Sequence, residues 1–157
     1  MNISKLKLFP VFCILYLLTG SCHKKNEVIP DVTVDFYLDI NDVRFIDLNS
    51  IGGSVLINNS TNNDRYAAGF SGNGIIVTRG VDEFFAYDRT CPHDYALDGT
   101  ITRIDLDPSG FAKAVCPVCK TAYELLSFGT PSSGVGNYQL KRYHTDFDGR
   151  YIRVWND

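Results

Sequence analysis

The stretches Cys91-Pro92-His93 and Cys116-Pro117-Val118-Cys119, 22 residues apart, bring three thiols and one imidazole into two short segments. Each segment contains a proline, which removes a backbone donor and fixes one torsion, so each suits a tight, preset loop. Three thiols and an imidazole can close around a metal centre. The sequence therefore predicts a metal site where two loops meet, with Cys91, His93, Cys116 and Cys119 as ligands.

The two remaining cysteines lie in the N-terminal segment. Of the five cysteines in the chain, Cys13 lies in an apolar run and Cys22 follows it, which leaves three in the domain. An odd number cannot form a complete disulfide framework, although Cys116 and Cys119 could pair with each other in an oxidising compartment.

The N-terminal segment has the pattern of an export signal. Two lysines precede an apolar run at 9–18, which is too short for a confident transmembrane helix. The following Thr19-Gly20-Ser21-Cys22 resembles a bacterial lipoprotein box, in which the cysteine becomes the lipidated first residue. We therefore expect a signal peptide at 1–21, lipidated Cys22 with a polar tether at 22–31, and a protein anchored to a membrane of the cell envelope.

Residues 32–157 are predicted to form one all-β domain. Abundant aromatic residues, frequent turn signals and short alternating segments favour an antiparallel sandwich or small barrel without a helix. Asp148-Gly149 is typical of a tight hairpin. The predicted strands lie at 32–40, 54–57, 66–70, 74–78, 83–88, 111–115, 138–143 and 151–155.

The charge of the chain argues against nucleic acid as a partner. The formal net charge is −3, and it becomes −5 when Lys5 and Lys7 leave with the signal. No basic run or basic–aromatic stripe is present in the sequence, so the electrostatic footprint of a nucleic-acid-binding protein is missing.

The order of the motifs resembles the Rieske family of [2Fe–2S] proteins. Members carry Cys-x-His, then Cys-x-x-His-Gly-Ser-x-Phe/Tyr-Asp, a Gly-x-Pro element, a Gly-Pro-Ala loop, a leucine and a final hairpin. The matching segments here are 91–93, 116–124, Gly129-Thr130-Pro131, 134–140 and the hairpin at Asp148-Gly149. The chain departs from the pattern in three places: Cys119 replaces the second histidine, Lys120 replaces a glycine, and Val135-Gly136 replaces Pro-Ala.

The resemblance implies a Rieske-like fold whose two site loops, at about 88–131, hold a [2Fe–2S] cluster. It places Cys91 and Cys116 on one iron, with His93 and Cys119 on the other. Thr121 and Tyr123 fall where family members place hydroxyls that hydrogen-bond to sulfur, although both residues could equally begin a strand that packs into the core.

The same resemblance implies a membrane-anchored electron carrier or subunit that serves an unknown redox partner protein. Because a thiolate replaces a neutral imidazole, we expect a lower reduction potential than that of a two-histidine centre. No Ser-His-acid set is apparent, and a stand-alone enzyme is not predicted. Asp94 and Asp98 are expected to cap loops.

Two alternatives to the cluster stay open at this point. Three cysteines and one histidine also form a common structural zinc set. A metal-free binding or assembly module with a Cys116–Cys119 disulfide is the other alternative. The signal lacks a twin-arginine pair, so the chain would have to acquire an iron–sulfur cluster outside the cytoplasm, and this counts toward the alternatives.

Overall fold

The protein consists of two antiparallel sheets, as seen in a computed structural model that describes residues 28–62 and 65–156. The larger sheet contains, in spatial order, β1 (Asp35–Asp39), β10 (Tyr151–Trp155), β9 (Arg142–Phe147), β4 (Phe84–Asp88), β3 (Ile75–Arg79) and β2 (Ser54–Ile57). The smaller sheet contains β5 (Asp105–Leu106), β6 (Lys113–Val115), β7 (Ala122–Glu124) and β8 (Thr130–Ser133). The smaller sheet therefore lies, along the chain, between β4 and β9. The predicted all-β fold with antiparallel pairing is confirmed.

The central strand β4 separates two apolar cores, which explains its unbroken apolar sequence. Phe84 and Ala86 point into a core under the larger sheet, whereas Phe85 and Tyr87 point into a second core shared with the smaller sheet. Successive side chains of a strand face opposite sides, so a strand covered on both faces has no polar face to alternate with. The Tyr87 hydroxyl also donates to the carbonyl of Leu125 at 2.8 Å, which ties β4 to the smaller sheet.

Helical segments occupy positions that the sequence analysis treated as strand or loop. The short helices are α1 (Asn59–Asn62) and α2 (Pro92–Asp98), with 3-10 turns at Val43–Asn49, Arg65–Ala67 and Phe70–Gly72. The predicted strand at 66–70 is wrong. The Phe70 N–H donates to the Asp88 carboxylate at 2.6 Å, and Gly69 has a φ of +67°, so this backbone turns instead of joining a ladder.

The expectation of a chain without helices is also wrong at α2. This helix begins with Pro92 and ends at Gly99, whose φ of +80° gives a left-handed C-cap. Proline at the first position and glycine after the last are the residues that favour such a helix. The predicted strand at 138–143 overlaps only the start of β9, while the predicted hairpin around Asp148-Gly149 joins β9 and β10.

The last residues of the predicted tether pack against the domain. Ile29 is buried, and the Lys141 ammonium donates to the Ile29 carbonyl at 3.0 Å and pairs with Asp31. The predicted signal peptide and Cys22 lie outside the described residues. Within the described part of the chain, no helix is long and apolar enough to span a membrane.

Candidate metal centre

The first site loop leaves the end of β4 and leads directly into α2. Asp88 is fully buried, and its carboxylate accepts the Thr90 N–H at 2.8 Å. Cys91 then occupies the N-cap position of α2, and its own N–H donates to the Thr102 carbonyl at 2.8 Å. These bonds fix the backbone on both sides of the loop, so the fully buried Cys91 sulfur has a defined position.

The second site loop is the tight connection between β6 and β7. The Cys116 N–H donates to the Thr121 carbonyl at 2.9 Å, and the Lys120 N–H donates to the Cys116 carbonyl at 3.1 Å. Lys120 has a φ of +60°, a conformation that costs a residue with a side chain about 1 kcal/mol relative to glycine. The loop brings Cys116, which is fully buried, and the half-buried Cys119 to the same side.

The two loops bring three sulfurs and one carboxylate together. One ligand atom each from Cys91, Asp94, Cys116 and Cys119 lies within 4.8 Å of each of the others. The Cys91 and Cys119 sulfurs are 3.6 Å apart, and the Cys116 thiol donates to Asp94 Oδ2 at 3.1 Å. All three cysteines are free thiols. The described residues therefore contain a compact four-donor group.

His93 does not belong to this four-donor group. It is half-buried on the first turn of α2, between Pro92 and Asp94. A Cβ placed on Gly136 would lie 3.3 Å from the His93 Cβ, so His93 lies beside the loop at 134–137. Of the four ligands predicted from the sequence, the structure brings the three cysteines together and places His93 outside them.

Two hydroxyl groups contact the sulfurs at the positions that the resemblance implied. The Tyr123 hydroxyl is 3.6 Å from the Cys91 sulfur, and the Cys119 thiol donates to Thr121 Oγ1 at 3.2 Å. Thr121 Oγ1 also accepts the Gly136 N–H at 2.8 Å, which joins the loop at 134–137 to the site. Both hydroxyl-bearing residues are fully buried, so they contribute to packing as well as to polar contacts with sulfur.

Burial and hydrogen bonding act in opposite directions on the ionisation of the site. Burial raises the pKa of Cys91 and of Cys116. Nearby backbone N–H groups partly offset the rise in pKa; at the Cys116 sulfur these are the N–H groups of Cys119 and Val118. Burial also acts to raise the pKa of Asp94. Hydrogen bonds from the Cys116 thiol and the Thr102 hydroxyl outweigh it, and the pKa of this carboxyl lies below its ordinary value. The N–H groups and hydroxyls aimed at sulfur are the contacts that stabilise metal-bound thiolates.

The chemistry of the donor group fits a thiolate-bound metal. Metal–sulfur bonds of about 2.3 Å at a tetrahedral centre imply a sulfur–sulfur separation of ~3.8 Å, close to the 3.6 Å between Cys91 and Cys119. Cysteine thiolates are also the usual ligands of iron–sulfur clusters. The contact between Cys91 and Cys119 differs from the ligand pairing that the resemblance implied, which assigned these two cysteines to different irons. As the atoms lie, their spacing suits ligands that share one metal ion.

Asp94 is the member of the group that the sequence analysis missed. It was expected to cap a loop, as Asp98 does by accepting the Thr100 N–H at 2.9 Å. The signal that could have identified Asp94 is the helix that begins at Pro92, since a helix turns each successive residue by ~100°. On this helix Asp94 is buried while its neighbour His93 is not.

The chain resembles known proteins in structure, whereas no match was found by sequence. No protein-family model and no curated protein matches the chain. Among solved structures, the chain is similar to the ferredoxin of carbazole 1,9a-dioxygenase from Nocardioides aromaticivorans IC177, with 13% sequence identity and a TM-score of 0.47. The match covers 81% of this chain and 100% of that chain.

Proposed function

We propose that this protein is an electron carrier with an iron centre held by Cys91, Cys116 and Cys119. The observation that carries the proposal is the convergence of three cysteine sulfurs from two loops. These sulfurs and an oxygen of the Asp94 carboxylate all lie within 4.8 Å of one another. An iron–sulfur cluster or a thiolate-bound iron supplies one-electron oxidation and reduction when it is bound. The [2Fe–2S] identity rests on the motif resemblance to the Rieske family.

The surroundings of the sulfurs suit electron transfer. Hydrogen bonds to sulfur and the exposure of the site are two of the factors that set the potential of such centres. Tyr123 and Thr121 supply hydroxyls at 3.6 Å and 3.2 Å from two of the sulfurs. Cys119 is only half-buried, and Val118 beside it is 64% exposed, so the site lies near the surface. A partner protein can thus approach the centre closely without entering the core.

Structural zinc is the second candidate, and one observation favours it. The spacing of the four donors suits a single ion, and zinc accepts both thiolate and carboxylate ligands in tetrahedral geometry. Zinc in this position would hold the two loops together and would undergo no redox change.

Metal analysis of the purified full-length protein separates these candidates. The carrier proposal expects iron in the protein, with sulfide if a cluster is present, and thiolate-to-iron absorption bands that bleach on reduction. One zinc per chain, together with no iron uptake during anaerobic reconstitution, would replace the carrier with the structural site. A metal-free protein with one disulfide by mass spectrometry would contradict both. Cys116→Ser is the matched control, since it should lower the iron content and leave the fold intact.

Attachment to a membrane through Cys22 is a separate proposal, supported by the lipoprotein-like sequence before that residue. A lipid anchor would hold the carrier next to membrane-bound partners. The protein should therefore fractionate with membranes, and Cys22→Ala should release it. Equal membrane binding of the two proteins would contradict the anchor without affecting the metal centre.

A further inference from the structure

We infer that Asp94, and not His93, supplies the fourth ligand of the metal centre. The inference rests on the proposed metal centre and concerns which side chain completes it. The three cysteines leave a tetrahedral ion or a cluster one ligand short. The two candidates are adjacent residues on the first turn of α2, so their different directions decide between them.

The direction of Asp94 places its carboxylate among the sulfurs. The residue is only 6% exposed, and its ligand oxygen lies within 4.8 Å of all three sulfurs. Its Oδ2 is 3.1 Å from the Cys116 sulfur. The carboxylate of Asp94 thus lies beside cysteine ligands from both loops.

A further polar group lies near the carboxylate. The hydroxyl of Thr102, a residue that is 8% exposed, is close enough to interact with Asp94. Metal-binding carboxylates are themselves usually held by hydrogen bonds, and these outer contacts are part of how a site is built. Carboxylate oxygen is an ordinary ligand of both zinc and iron. Asp94 therefore has both features of a metal ligand: its carboxylate lies among the sulfurs, and a polar group of the protein lies close to it.

The direction of His93 keeps it out of the group. It is half-buried, and its Cβ lies next to Gly136 in the loop at 134–137. Its imidazole is not among the donor atoms that lie within 4.8 Å of one another. His93 matches the first histidine of the Rieske motif in sequence, but α2 places it beside the loop at 134–137. The position of His93 supports a role in packing against this loop.

Titration of the full-length protein with Co²⁺ under anaerobic, reducing conditions tests the inference. Co²⁺ reports tetrahedral geometry through its d–d bands and thiolate ligands through charge-transfer bands. Asp94→Asn keeps the shape of the side chain and should lower Co²⁺ affinity at least about 10-fold. His93→Asn is the matched control and should stay within about 2-fold of the wild type. The reverse order of the two effects would overturn the inference.

A second pair of variants gives a signal that does not depend on loss of binding. Asp94→Cys should raise the sulfur-to-cobalt absorbance by about one third, because a fourth thiolate joins three. His93→Cys should leave this absorbance unchanged. If His93→Cys gives the increase and Asp94→Cys does not, the imidazole position is the ligand position and the inference fails. A wild-type protein that binds neither Co²⁺ nor iron would refute the metal centre itself, whereas binding with all four variants unaffected would refute only the role of Asp94.

Discussion

Replacement of Asp88 by asparagine should be among the most destabilising single changes near the site. Its carboxylate is fully buried at the end of β4 and accepts three hydrogen bonds. One oxygen accepts the Thr90 N–H at 2.8 Å, and the other accepts the Phe70 N–H at 2.6 Å and the Tyr143 hydroxyl at 2.7 Å. These bonds fix the start of the loop that carries Cys91.

The magnitude follows from the number of acceptors that asparagine retains. Its amide oxygen can replace the carboxylate oxygen that serves Phe70 and Tyr143, but the NH₂ group then faces the Thr90 N–H. A lost hydrogen bond to a charged group costs about 1.5–3 kcal/mol, and a buried donor without a partner costs about 1–3 kcal/mol. We therefore expect Asp88→Asn to lower the free energy of unfolding by ~3–5 kcal/mol, near the upper end for one substitution.

Urea unfolding followed by circular dichroism measures this loss. With an m-value of about 1–3 kcal/mol/M, the midpoint should fall by roughly 2 M. Tyr143→Phe removes one of the three donors and should cost about 1–2 kcal/mol. Asp98→Asn makes the same chemical change in an exposed turn and should cost less than about 0.5 kcal/mol. An Asp88→Asn protein no less stable than the Asp98→Asn control would refute the anchoring role of the buried carboxylate.

Three other substitutions probe the site itself. Gly136→Ala should cost about 1–3 kcal/mol in thermal unfolding, because its methyl group would lie 2.8 Å from Thr121 Oγ1. Tyr123→Phe removes the hydroxyl beside the Cys91 sulfur, so the potential of the iron-loaded protein should fall in voltammetry; an unchanged potential would leave the hydroxyl a packing role only. Cys119→His exchanges a thiolate for a neutral imidazole and should raise that potential, and loss of the visible absorption would contradict this.

The parts of the fold predicted correctly from the sequence are those in which burial follows the strand period. The apolar run at 83–88 and the alternation at 32–40 both became strands, because apolar side chains on a sheet must face a core. The prediction for the segment at 66–70 failed because the Phe70 N–H bonds to the carboxylate of Asp88, 18 residues later, instead of joining a ladder. A local pattern does not contain such a contact.

In the site, too, the motifs predicted which cysteines meet, but they did not predict which way the side chains on α2 point. The three cysteines converge as their motifs predicted, since each loop leaves the end of a strand. The motif could not indicate that Asp94 would replace His93 in the donor group. That difference depends on α2, whose Pro92 start was visible in the sequence but was interpreted only as a rigid element of a loop. Side-chain direction on one helical turn decided which of two neighbouring residues enters the site.

The two apolar cores bear on the choice between an electron carrier and structural zinc. Among the described residues, one core contains fifteen buried residues and the other eleven, of which Cys91 and Cys116 belong to the metal centre. Every buried side-chain nitrogen or oxygen in the described residues has a hydrogen-bond partner without a metal. Small zinc domains unfold without their metal because they lack such a core. The protein stripped of metal by a chelator should therefore keep a cooperative thermal unfolding transition.

Loss of that transition on chelation, with its return when Zn²⁺ is added, would favour the structural role and contradict this expectation. The Cys116→Ser protein is the control, because a chelator should change its unfolding little in either case. If the fold survives without metal, the buried thiols of Cys91 and Cys116 bring no stability that apolar residues could not supply. Burial raises the pKa of the Cys91 thiol, because the charged thiolate is disfavoured away from water, so ionisation to bind metal is costlier there than in solvent. Survival of the fold without metal would therefore point to chemistry at the sulfurs instead of a structural role, and would favour the proposed carrier.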